Sequence, residues 1–349
     1  MKTKWLILVG FAVVVAVLAL ALAPSFSTAA DTKGKTKAEA PKQPNVPAGP
    51  YDPATAKGAN PTEFKKMEAA LPTEAPAKPA KPRKLLVFVG STGFYHDAMP
   101  IAAAAIKAMG DKLGTWETTF SSEDSIFNAE ALAKFDGVFM DNTNGNHITT
   151  DEAQKALSEF VKGGKGLMGT HAGGDCNHSW AGYFDLIGGE FDGHVWGVSK
   201  ASVRNEDPKS PLCSMFPEQG FVAPEEYYTF KTPTEQRPQG YSRDKLHILL
   251  SIDLATSKLD PSKGKRKDGD YAVSWIGKVG EGRVFYCSMG HLHEHFWSPP
   301  MLKHYLAGIQ YALGDLKADD TPSAKLKDHK INPGPDMSTP VINPINPGK

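Results

Sequence analysis

The chain has 349 residues, with 39 Lys and Arg balanced by 39 Asp and Glu, 40% hydrophobic residues and 22% charged ones. Such a composition can bury a core but carries no basic excess, which argues against nucleic acid as a partner. Three cysteines (Cys176, Cys213, Cys287), none in a CxxC pair, exclude a disulfide framework, a zinc ribbon and a thioredoxin-type site.

Residues 1–30 read as an export signal. Lys2 and Lys4 precede an apolar run of 19 residues, 5–23, and the small residues Thr28 and Ala30 suit cleavage just before Asp31. The run exceeds the usual signal core of about 7 to 15 residues, so an uncleaved anchor formed by residues 5–23 is the alternative. In both cases the expected location is periplasmic or extracellular, with no membrane contact beyond that anchor. Residues 31–83, with ten prolines in 31–82, predict a disordered Pro/Ala/Lys-rich linker containing a short helix over 62–70.

The folded domain is expected over 84–318. The apolar run 85–90 predicts a strand buried on both faces, followed by a helix over 99–109. Strands over 116–121, 137–141 and 166–170 then alternate with helices over 128–134 and 150–162. Thr150 caps the second of these helices, and Gly163-Gly164 ends it. Alternation of this kind predicts an α/β, flavodoxin-like, doubly wound fold: a mostly parallel sheet with helices on both faces. Further strands are predicted over 198–204, 227–230 and 246–252. A hairpin follows, 272–276 with 283–288 around Gly280-Glu281-Gly282, and then a last helix over 300–313. Residues 319–349, with six prolines, predict a disordered tail.

Open parallel sheets bind ligands outside the carboxyl ends of their strands. The loops expected there read Ser91-Thr92-Gly93-Phe94-Tyr95-His96-Asp97, then Asp141 to His147, His171 to His178, and Gly290-His291-Leu292-His293-Glu294-His295. With Gly188 to His194 they hold eight of the eleven histidines, a distribution that suits metal ligation or proton transfer, although any one of them could be an ordinary loop hydrogen-bonder. Gly169-Thr170-His171-Ala172-Gly173 has the form of a nucleophile elbow with histidine in place of the nucleophile, while Cys176 reads as a packed thiol. The string His291 to His295 matches H-x-x-E-H literally, but Ser298-Pro299-Pro300 stops the helix that motif needs. If the segment is extended, His291, His293 and His295 share one face, with His291 turned inward beside Gly290. Glu225 and Glu226 read by default as solvated loop acids. Trp180, Trp196, Trp275 and Trp297 suit either the core or a sugar-stacking rim. No GxGxxG or Walker loop is present, so nucleotide binding is not expected.

As a set, these residues resemble the ThuA-like family, named for a trehalose-utilisation protein and related in fold to the class I glutamine amidotransferases. The resemblance spans about 84–316. It rests on Phe94-Tyr95-His96-Asp97, the elbow with Gly174-Asp175, Trp180 and Tyr183, Gly188 to His194, Glu225 to Phe230, and Gly282-Arg283-Val284-Phe285-Tyr286 leading to Gly290-His291. The family's His-Pro pair is replaced here by Asn205-Glu206-Asp207-Pro208. The resemblance implies carbohydrate catabolism without glutaminase activity, since position 171 holds no cysteine. The expected protein is an exported hydrolase or isomerase of a small carbohydrate, a sugar or keto-sugar. Catalysis is assigned to His171, Asp175 and His96, and substrate contacts to Tyr95, Asp141, Asn144, Trp180 and Trp297. His171, His194, Glu226 and His291 are the candidate ligands of a divalent metal such as zinc or manganese, with bare histidines moving protons as the variant without metal. The alternative is a non-catalytic carbohydrate-binding or scaffolding module on a flexible tether.

Overall fold

A computed structural model describes residues 51–327 and 331–342. The export signal and the linker up to residue 50 lie outside the described residues. Among those described, no helix is long and apolar enough to cross a membrane. In chain order the elements are α1 (Pro61–Ala70), β1 (Lys84–Phe88), α2 (Met99–Leu113), β2 (Glu117–Ser121), α3 (Ala129–Leu132), β3 (Gly137–Asp141), α4 (Asp151–Lys162) and β4 (Gly166–Thr170). They continue with α5 (Gly182–Ile187), β5 (Phe191–Gly193), β6 (Val198–Asn205), β7 (Phe221–Glu226), β8 (Thr229–Phe230), β9 (His247–Ile252), β10 (Ala272–Val279), β11 (Gly282–Cys287) and α6 (Pro299–Ala312).

A nine-stranded sheet in the order β2-β1-β3-β4-β11-β10-β9-β6-β7 forms the centre of a mixed α/β fold. The first five strands are parallel, in the flavodoxin-like order, and the last four alternate in direction. Successive residues of β1 point to opposite faces, so Leu85 and Val87 enter one core with α2 and α6, and Leu86 and Phe88 another with α4 and α5. The start of α4 follows its sequence cue: the Thr150 hydroxyl accepts the Ala153 N–H.

Strand β7 is absent from the sequence expectation because Pro224 interrupts its run. An edge position tolerates the missing N–H, and in the sheet order β7 is the edge. Only Val203, Arg204 and Asn205 of β6 pair with β9, whereas Val198 to Val203 pair with β7. The β6-β7 ribbon therefore overruns the sheet at its upper rim and carries Glu226 beyond it.

Both flanks correct the compositional reading. Residues 51–83 are not free linker: α1 buries Met67 and Ala70, the Gln310 side chain bonds both Ala77 N–H and C=O, and Asp315 accepts three hydrogen bonds from Arg83 and one from Ala80 N–H. Nor are the described parts of 319–342 a free tail. Ser323 N–H donates to Leu246, Gly334 N–H to Asp253, and Ile342 N–H to Val222 beside the Val222–Val341 bridge, which covers the exposed edge of β7. In each case a proline-rich chain, poor in apolar side chains, is held in part by hydrogen bonds to its backbone that composition does not reveal.

His304, inside α6, is fully buried, with Nδ1 donating to Leu212 C=O at 2.6 Å and Nε2 at 2.9 Å from Ser274 Oγ. Burial pushes its imidazole down to about 4. A lowered folded-state value means that the unfolded chain takes up the proton first, so stability is full above about 6.5 and falls as the pH drops towards 4. The loss from this residue should reach on the order of 3 kcal/mol. Urea unfolding at stepped pH should show that slope in the wild type and a shallower one in His304→Gln.

Candidate functional site

Three loops on the carboxyl rim and the end of the β6-β7 ribbon meet at one point. His96 comes from the loop after β1, His171 from the end of β4, His291 from the loop after β11, and Glu226 from the last position of β7. One donor atom from each of these four residues lies within 4.8 Å of all the others. His171 Nε2 and His291 Nδ1 each stand 3.4 Å from Glu226 Oε2. The His96 ring is 4.9 Å from that of His171 and 5.5 Å from that of His291.

The local backbone explains the aim of His171. It occupies the left-handed region, φ 43°, at the strand-to-turn corner, and Gly173 follows where a Cβ would lie 2.5 Å from Met140 O. Holding a β-carbon residue there costs on the order of 1–3 kcal/mol, which the surrounding bonds offset. His171 Nδ1 donates to Ser288 C=O at 2.9 Å, and its own C=O accepts from Tyr286 OH at 2.6 Å. Tyr228 lies over its ring at 4.0 Å. With Nδ1 committed to a carbonyl, Nε2 is left as the acceptor facing the cluster.

The electrostatics match this arrangement. Burial, followed by the neighbouring imidazoles of His171, His291 and His194, drives His96 down to about 2; burial and His171 lower His291 as well. Burial tends to raise Glu226, but the adjacent imidazoles of His171, His291 and His194 outweigh it and hold the carboxyl below its ordinary range. Beneath it, Glu225 is fully buried, accepts the Glu226 N–H at 2.6 Å, and has its other oxygen 3.0 Å from His295 Nε2. Burial opposes ionisation of Glu225, yet His295, His171 and the Glu226 N–H keep it low.

The donor set suits a divalent ion. His171 Nε2, His291 Nδ1 and His96 Nδ1 are buried without a hydrogen-bond partner, a costly condition for ring nitrogens. Ligands about 2.1 Å from a tetrahedral ion stand about 3.4 Å apart, matching the two spacings to Glu226.

Among the sequence-derived candidates, His171, His291, Glu226 and His96 thus come together. His194 reaches the far oxygen of the same carboxylate, Nδ1 to Oε1 3.4 Å, and is half exposed. Asp175 instead pairs with His178 at 2.7 Å and accepts the Asn144 amide at 3.1 Å. Asn144 also accepts the Phe94 N–H, so its amide ties three loops together. Tyr95 donates to Lys57 C=O at 2.7 Å. Asp141 is fully buried beside Asn142, and burial raises its carboxyl well above the ordinary range. Trp180 packs partly against Tyr183. The rim position expected for Trp297 is corrected: at 4% exposure it belongs to the core, with Lys66 over its ring. Two further expectations change. Residues 293–297 form a 3₁₀ turn rather than an extended segment, so His293 and His295 face away to Glu63 and Glu225; and Glu225 and Glu226 are not solvated loop acids.

Sequence reasoning missed the Glu225–His295 pair and the exposed ring of Phe94. Alternation along β7 would have sent neighbouring glutamates to opposite sides, had Pro224 not hidden the strand. Phe94 is 65% exposed and meets His96 edge-on at 4.8 Å, leaving an apolar face at the mouth of the cluster. All three cysteines are free and buried; burial pushes Cys176 up to about 12, away from thiolate chemistry.

Comparison with known proteins adds the family. Residues 84–312 match the model of the family ThuA, trehalose utilisation. A ThuA-like protein from Bacteroides uniformis superposes with a TM-score of 0.51 at 22% identity, covering 72% of this chain and 99% of that one. One from Parabacteroides merdae gives 0.48 at 15% identity, covering 72% and 98%. At 22% identity, the likeness to the Bacteroides uniformis protein speaks for the fold alone. No curated protein matches in sequence.

Proposed function

This chain belongs to the ThuA trehalose-utilisation family, and on that premise we propose that it is an exported enzyme of carbohydrate catabolism acting on a sugar or keto-sugar at the histidine–glutamate cluster. The family points to carbohydrate metabolism. The chemistry is read from the site, and one observation carries it: three imidazoles, each with a buried and unpartnered ring nitrogen, gather around one carboxylate. We also read the parallel half of the sheet as doubly wound, which would make the cluster the usual rim site of that architecture.

His96, His171, Glu226 and His291 would hold a divalent ion of the zinc or manganese kind. Such an ion polarises a carbonyl or brings the pKa of a bound water towards about 7. The chain's own groups have separate tasks. Ser288 C=O fixes the His171 tautomer, and burial keeps His96 and His291 neutral so that their lone pairs stay available. His194, half exposed on the outer oxygen of Glu226, can pass a proton between that carboxylate and water. The Phe94 ring offers a face on which the apolar side of a pyranose can rest. A glutaminase is not proposed, because the elbow presents imidazole and the nearest thiol is sealed inside.

A non-catalytic carbohydrate-binding module remains the competing reading, but it leaves the unpaired nitrogens without a purpose. Protein purified without chelator should carry close to one divalent ion per chain by elemental analysis. A panel of aldoses, ketoses and disaccharides should then reveal both a thermal shift and turnover that vanish with the ion. A metal-free protein indifferent to every sugar would refute the proposal.

A further inference from the structure

The two histidine loops that close the cluster are gripped by a segment outside the family-matched region. Residue by residue, the grip falls on the neighbours of His96 and His291. Tyr95, just before His96, donates to Lys57 C=O at 2.7 Å, and the Lys57 ammonium sits 5.1 Å above its ring. Asp97, just after His96, packs so closely on Gly58 (φ 90°) that a Cβ there would lie 2.7 Å from Asp97 O. On the other loop, His293 places Nδ1 2.7 Å from Glu63 Oε2 and Nε2 3.1 Å from Asp97 Oδ1. Lys66, one turn along α1, covers Trp297 at 4.9 Å.

Glu63, His293 and Asp97 thus form a bridge from α1 through the His291 loop to the His96 loop. Neither loop has regular structure at its histidine, and the two rings are only 5.5 Å apart. Nothing in the parallel sheet by itself sets that separation, because β1 and β11 are not neighbours in it.

We propose that residues 57–66 are a positioning clamp of the cluster, in which Glu63 acts through the His293–Asp97 bridge to hold His96 and His291 at ligating separation. This rests on the metal-site reading above and extends it to a part of the chain that composition assigns to linker. Glu63 touches none of the four donors, so it is a positioning residue. Outer-shell partners of this kind typically contribute about 10- to 100-fold in metal affinity.

The test uses the full chain with Glu63→Ala and Glu63→Gln, titrated with Zn²⁺ and with Mn²⁺ by calorimetry and followed by amide hydrogen exchange without metal. In Glu63→Ala the dissociation constant should rise about 10- to 100-fold. Exchange should quicken in 92–98 and 289–296 but not in 221–230, which carries Glu226. Glu63→Gln, which can still bond His293, should recover most of both effects. Unchanged exchange in the two loops, or acceleration spread evenly over the domain, would overturn the clamp. If the wild type binds neither ion, the metal reading fails, and the exchange measurement still decides whether the clamp exists.

Discussion

His171→Ala should leave a folded protein that no longer retains a stoichiometric divalent ion, with affinity for added Zn²⁺ or Mn²⁺ at least about 100-fold weaker, beyond the usual effect of outer-shell changes. The imidazole supplies the Nε2 that faces Glu226, and no described neighbour can replace it, since His194 serves the other oxygen. Some stability goes with it. The Ser288 carbonyl loses its donor and Tyr228 loses the ring 4.0 Å away, together costing about 2–3 kcal/mol. His171→Asn separates the two effects, because asparagine tolerates the left-handed backbone but is too short to ligate. Calorimetric titration and thermal unfolding of both variants provide the check. An alanine variant that still holds one tightly bound ion would exclude His171 as a ligand.

Trp275→Ala should be the most damaging single change in the core. Trp275 is fully buried, donates Nε1–H to Ile187 C=O at 2.9 Å, and packs against Tyr286 at 4.5 Å and Phe230 at 4.9 Å. Truncation should cost about 3–5 kcal/mol, a large share of the roughly 5–15 kcal/mol that a domain has in total. The damage should also spread to the cluster, because Tyr286 is the residue that pins the His171 carbonyl. Denaturant unfolding should show the midpoint shift, and Trp275→Phe should recover about half of it. A loss under about 1 kcal/mol would show that the surrounding aromatics repack freely.

The residues that sequence reasoning located well share a property: their position follows from local pattern. The strand ending at Thr170 with its glycine-flanked elbow, the capped helix beginning at Asp151, and the run ending at Phe88 each carry their own periodicity or turn chemistry. His171 at the rim was legible for that reason, as was His291 beside Gly290. Glu226 is named without its strand, and His96 is read as an acid–base residue with no local cue that its ring meets those of His171 and His291. Trp297 was misplaced because an indole near polar loops looks the same in sequence whether it faces water or the core. The flanks 51–83 and the described parts of 319–342 escape a compositional reading because proline-rich chain signals disorder, while its attachments here are scattered hydrogen bonds to distant residues such as Gln310 and Val222.

By itself, then, the sequence determined the order of strands and helices from β1 to β4, the rim on which the polar loops finish, and the family. Each of these depends on spacing within about twenty residues or on strands running the same way. Only the tertiary structure decided which histidines share a site. His147, His178, His293 and His295 lie in the same kinds of loop, yet their rings turn to Asp124, Asp175, Glu63 and Glu225. It also brought Glu226, on the edge strand farthest from β4 in that half of the sheet, over His171. The physical reason is that the β6-β7 ribbon outruns its neighbour and bends across the rim, a consequence of long-range register that no local window of residues encodes.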